Sequence, residues 1–153
     1  MRSLGLRVAP KCIYFSVIES NSEMINILTT DVIHVPSALD TPRCLSYIRT
    51  TIISIIQEYG ITSAGMKVYE GNNQNINIFR LNMEGVILEL LANSSVNRYF
   101  AGYLQSIAKR LESNIKEVKE TLDGNENPLE IDDWENYKKE HKEAILTGIA
   151  TIL

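Results

Sequence analysis

The sequence predicts an α/β fold. A mixed five-stranded sheet, three antiparallel strands followed by alternating helices and strands, is flanked by helices. Three observations carry this expectation. Up to Pro36, β-branched and aromatic residues dominate and turn signals divide them. Beyond Asp40, apolar residues recur at helical spacing. Short apolar runs bounded by Gly and Asn separate those stripes, an order typical of layered α/β domains.

The first strand is read over Ser3–Ala9 and is stopped by Pro10; the second, Cys12–Glu19, ends at the turn signal Asn21-Ser22. Met24 to Val35 continues in extended style as far as Pro36, which completes an antiparallel meander. Asp40-Thr41-Pro42 then opens a helix, with a capping side chain followed by a proline whose missing N–H does no harm. Leu45, Ile48, Ile52, Ile55, Ile56 and Tyr59 mark its inner face, and Gly60 ends it. A fourth strand is read over Ala64–Glu70, closed by Gly71 and an Asn-rich loop with Asn72, Asn73, Asn75 and Asn77. A second helix follows, with Ile76, Phe79, Met83, Val86, Ile87, Leu90 and Leu91 inward. Val96–Gly102 reads as the fifth strand and Tyr103–Leu111 as a short helix. Residues 112–133 are polar and acidic, with turn signals at Asp123-Gly124 and Asn127-Pro128, and are expected to be a surface excursion. A final helix is expected from about Asp133 to Ile152, with Trp134, Tyr137, His141, Ala144, Ile145, Gly148, Ile149 and Ile152 inward.

The 153 residues suit one domain over 1–153, large enough to hold a core without disulfides or a structural metal. The balance of 15 Lys+Arg against 19 Asp+Glu gives a formal charge of −4, which disfavours gripping nucleic acid by bulk charge. Cys12 and Cys44 lack the paired spacing of a zinc site, and buried thiols in a reducing, cytoplasmic setting are expected. The opening MRSLGLRVAPKCIYF has no sustained apolar run or small-residue cleavage pattern, so no signal peptide is expected. No apolar stretch reaches the length of about 18 residues that a membrane span needs, and no membrane partner is expected.

Five segments in their shared order carry a resemblance. They are SLGLRVAP, VYEG, the helix after it, the unit RYFAGYLQSIAKRL and the closing EHKEAILTGIA. Together they resemble the RNase H-like fold, and within it the RuvC-type Holliday-junction resolvase branch, over nearly the whole chain. The resemblance implies an acid on the first strand in a context like LGIDPG; here the step is Leu4-Gly5-Leu6-Arg7, and Arg7 stands where that Asp would be. It implies a second acid at the end of the fourth strand, matched by Glu70, and two more at the start of the last helix, matched by Glu140 and Glu143.

In that family two divalent ions clamp the attacking and leaving oxygens. A guanidinium in place of one carboxylate removes a ligand and repels a cation, and it can instead bond Glu70 or Glu143. The resemblance therefore implies a degenerate site with no cofactor; Mg²⁺ or Mn²⁺ would sit on Glu70, Glu140 and Glu143 only if activity is retained. The expected role is a non-catalytic or weakly active component of prokaryotic nucleic-acid processing or defence, with branched or single-stranded nucleic acid as partner. The alternatives are a protein-interaction or dimerising scaffold, with a protein partner or a homodimer, and a metal-dependent nuclease using the remaining acids. Arg98, Lys109 and Arg110 are candidate phosphate contacts, with Tyr99, Phe100 and Tyr103 interleaved.

Each residue also has a plainer explanation. Glu140 and Glu143 share a helix face as any i,i+3 pair does, near the positive end of the dipole. Glu70 also suits a solvated loop, and His141 a core-edge histidine bonded to backbone. The three aromatics fit core positions, and Lys138, Lys139 and Lys142, balanced by Glu135, Glu140 and Glu143, fit an ordinary charged face. Arg7 in a central strand requires an acidic partner or a sheet edge.

Overall fold

In a computed structural model, residues 1–21, 24–71 and 75–153 are described. The strands are β1 (Arg2–Val8), β2 (Cys12–Ser20), β3 (Ile25–His34), β4 (Ser63–Lys67) and β5 (Arg98–Gly102). The helices are α1 (Thr41–Tyr59), α2 (Ile78–Ala92), α3 (Leu104–Arg110), α4 (Ile115–Leu122) and α5 (Lys139–Ile149). The sheet order is β3-β2-β1-β4-β5; β1–β2 and β2–β3 are antiparallel, and β1–β4 and β4–β5 are parallel. The expected mixed five-stranded sheet is therefore present, with β1 at its centre.

Strand alternation sorts side chains to two faces. Leu4, Leu6 and Val8 join Ile13, Phe15 and Val17 of β2 and Ala64 and Met66 of β4 in a core covered by α1 and α2. Ile18 and Phe100 join Ile145 and Ile149 of α5 in a second core on the other face. The α1 helix begins as its sequence predicts: the Asp40 side chain accepts from Arg43 N–H, Pro42 sits in the first turn, and Gly60 closes the helix in the left-handed region at φ 61°.

On the α5 face, Ser3, Gly5 and Arg7 of β1 align with Ser63, Gly65 and Lys67 of β4. The small residues let α5 rest almost directly on the sheet. Ser3 Oγ donates to Gly148 O at 2.8 Å. A Cβ on Gly65 would come within 2.8 Å of Thr147 O. The third rung carries two cations.

Five expectations are corrected. The fourth strand ends at Lys67, so Glu70 lies beyond it; Tyr69 N–H has turned to Glu84 Oε1. Ile76 is exposed and precedes α2, whereas Arg80 and Glu84 are buried on that helix. The segment 112–133 is no mere excursion, because it contains α4, with Val118, Thr121 and Leu122 buried. The last helix begins at Lys139; Trp134 sits in a separate 3₁₀ turn, Trp134–Asn136, with its Nε1 donating to Thr121 O. Lys142 is buried above the Trp134 ring and does not belong to an exposed charged face. Ser22, Asn72 and Asn73, from the turn and loop readings, lie outside the described residues. No described helix is long and apolar enough to cross a membrane.

Candidate functional site

The site forms where β1 and β4 end side by side. Arg7 and Lys67 are register partners on these parallel strands, so both heads project toward α5. Glu143, in the second turn of α5, is turned inward and its side chain is only 10% exposed. Its Oε2 accepts from Arg7 Nε at 2.7 Å, and its Oε1 lies 3.8 Å from Lys67 Nζ. One carboxylate thus spans two strands. The N-terminal end of α5 adds a favourable dipole for that charge.

Lys67 also reaches Glu70 Oε2 at 3.2 Å, while Glu70 Oε1 accepts from Leu104 N–H at the start of α3. Arg7 Nη1 donates to Val8 O. A third pair lies alongside on α2: Arg80 Nε stands 3.8 Å from Glu84 Oε1, and its guanidinium stacks on the Tyr69 ring at 4.6 Å. Burial pushes the Glu84 carboxyl up, with the Tyr69 N–H and Arg80 opposing. Burial pushes Arg80 down, and Arg7 adds to that shift while Glu84 and Glu143 oppose it. These influences link the α2 pair to the β1–α5 pair. Three cations and three acids make one compensated cluster.

Of the residues singled out in the sequence, Arg7, Glu70 and Glu143 are brought together through Lys67. Glu140 acts on Tyr14, the register partner of Arg7 on β2, and on His141, and its charge raises both titrations. His141 meets the Tyr14 ring edge-on at 5.0 Å, and among the described residues its buried Nδ1 has no hydrogen-bond partner, where a backbone bond was expected. Burial lowers its pKa, and Lys138 adds to the effect. Lys67, Arg80 and Glu84 were not identified from sequence. Lys67 reads as one polar residue within a strand, and only the fold brings Glu143 to it.

A divalent ion among Glu70, Glu140 and Glu143 does not fit these side chains. Both Glu143 oxygens face cations, and Glu70 is held by an ammonium and an amide. Among the described residues, no group of three or more His, Cys, Asp or Glu is placed to hold a metal.

Arg98 and Arg110 lie toward the opposite end of the sheet. Arg98 opens β5 opposite Ser63, and α3 runs back so that Arg110 stacks on Phe100. Both line a groove of about 410 Å³ with Asn97, Tyr99 and Thr151. Lys109, next to Arg110 in sequence, is exposed and does not line that groove. Phe100 is buried as expected for a core aromatic, but Tyr99 and Tyr103 are 48% and 55% exposed.

No family model and no curated protein matches the sequence. Among solved structures, the chain is similar to T. thermophilus RuvC in complex with a Holliday junction substrate. The TM-score is 0.72 at 12% identity, covering 98% of this chain and 92% of that one. It is similar to the yeast mitochondrial Holliday junction resolvase, with a TM-score of 0.57 at 15% identity over 97% of this chain and 77% of that one. The fowlpox virus Holliday junction resolvase gives 0.53 at 9% identity, over 98% and 96%. The fold is accordingly RNase H-like, of the RuvC type.

Proposed function

We propose that this chain holds branched nucleic acid without cutting it, its central site being neutralised by its own cations. One observation carries the reading: the Glu143 carboxylate is divided between Arg7 at 2.7 Å and Lys67 at 3.8 Å. A carboxylate so engaged is withdrawn from metal ligation, and two fixed cations repel a divalent ion. The likeness to junction resolvases supplies the ligand class by analogy of fold. Phosphate contacts fall to Arg98, Lys109 and Arg110, with Tyr99 available for stacking beside the groove.

The test is anisotropy with a labelled four-way DNA junction and a matched duplex across a salt series, together with incubation in Mg²⁺ and in Mn²⁺. The junction is expected to bind in preference, without cleavage. An Arg98→Ser/Arg110→Ser variant should lower the salt slope by about one per cation removed. Cleavage in Mn²⁺ that disappears in Glu70→Gln would establish a nuclease instead. Absence of any salt-sensitive binding would leave the scaffold reading in its place.

A further inference from the structure

A second concavity, of about 340 Å³, lies between α4, the α3–α4 junction and the chain that follows α4. Its size is at the lower end for small-ligand pockets, enough to take one or two apolar side chains. Leu111, Val118, Leu129 and Leu146 supply apolar walls, with Val118 and Leu146 themselves core residues. Glu112, Glu117 and Glu126 also line it, and among the described residues no Lys or Arg does. An apolar hollow bordered by one sign of charge is complementary to an apolar group carried next to a cation.

The border is held in place before anything binds. Glu117 accepts from the Ser113 hydroxyl at 2.6 Å and from Asn114 N–H within a capping box. The Ser113 bond, then that of the Asn114 backbone, hold its pKa below the usual carboxylate range, so it stays ionised at neutral pH. Across the hollow, the Asn127 side chain bonds both Ile131 O, at 2.8 Å, and Ile131 N–H, at 3.0 Å. Fixing such segments in advance lowers the ordering cost of association.

We propose that this hollow docks a basic, leucine-bearing peptide segment of a partner protein. The leucine enters against Val118, Leu129 and Leu146, and flanking Lys or Arg side chains meet Glu112, Glu117 and Glu126. A peptide fits the hollow better than nucleic acid, whose phosphates the three carboxylates would repel. The inference does not depend on the nucleic-acid reading, because the hollow shares no residue with the Arg7–Glu143 cluster or the Arg98–Arg110 groove.

The test titrates the full chain, ¹⁵N-labelled, with three blocked tetrapeptides at low salt: Arg-Leu-Leu-Arg, Glu-Leu-Leu-Glu and Arg-Ser-Ser-Arg. The basic leucine peptide should shift the amides of Leu111, Val118 and Leu129 and bind roughly tenfold more tightly than either control. Glu126→Lys, an exposed change that leaves the core intact, should weaken it severalfold. Leu129→Trp should block it, with the thermal midpoint confirming that this variant is folded. Equal response to the three peptides, no response at millimolar peptide, or shifts confined to other surfaces would overturn the proposal. Shifts at the hollow that follow dilution of the chain alone would also overturn it, in favour of self-association.

Discussion

Gly148 lies over Gly5 with no side chain between them. A Cβ on Gly5 would come within 2.9 Å of the Gly148 Cα, and one on Gly148 within 3.2 Å of the Gly5 N. This contact sets how deeply α5 beds on the sheet, and therefore where Glu143, more than one turn earlier, meets β1. Gly5→Ala must lift the helix backbone, which has no flexible side chain to yield. A loss of about 3 kcal/mol or more is expected in urea unfolding, at the upper end for overpacking. A loss below about 1 kcal/mol would show that the helix can shift freely.

The Arg7–Glu143 pair is largely withdrawn from water, with side chains 19% and 10% exposed. Breaking such a pair costs about 3–5 kcal/mol when a charge is stranded; Glu143 would keep Lys67 at 3.8 Å, which puts Arg7→Ala at the low end. Glu143→Ala should cost more, because it strands Arg7 and leaves Lys67 with Glu70 alone. The double change Arg7→Ala/Glu143→Ala should be milder than the sum of the two singles. Chemical denaturation of the four forms measures the coupling, and strict additivity would contradict the pairing.

Exchanging the cations should create a metal site. Arg7→Asp/Lys67→Ser sets a new carboxylate on β1 beside Glu70 and Glu143 and removes both counter-charges. Calorimetric titration of this variant with Mn²⁺ should give saturable heat. The unaltered chain should give none. Tight binding by the unaltered chain would contradict the neutralised-centre reading.

Stability should fall on mild acidification because of His141. Burial, then Lys138, lower its pKa from 6.5, so the unfolded chain binds the proton more readily than the folded one. The stabilisation is present above pH 6.5 and is lost as pH falls below it toward the folded value. Asp31 and Glu140 oppose the shift without reversing it. Between about pH 7.5 and 5.5 the unfolding midpoint of the native chain should drop further than that of His141→Phe. Equal drops would show that other groups account for the change.

The sheet and α1 were legible because their signals are local: β-branched strands broken by Pro10 and Pro36, then the Asp40 cap and Gly60. Arg7 was legible as an anomaly, a cation in a central strand that demanded an acid. Which acid it found depended on the Gly5–Gly148 packing, which no local pattern encodes. Lys67 was missed because its partners come from α5 and from beyond β4. Arg80 and Glu84 were hidden by a helix whose apolar stripe explained its burial without them. α4 was hidden differently. Its Asn114…Glu117 capping box and its Ile115, Val118, Leu122 spacing are visible, but the surrounding charges and turn signals outweighed them.

The cations of the central cluster are covalent parts of the chain. A bound ion is held by mass action, and a chelator can remove it. Arg7 and Lys67 cannot dissociate, so the positive charge they place around Glu143 is fixed by the chain itself. A site of this kind has its counter-ion written into its translation product, with an occupancy that does not vary.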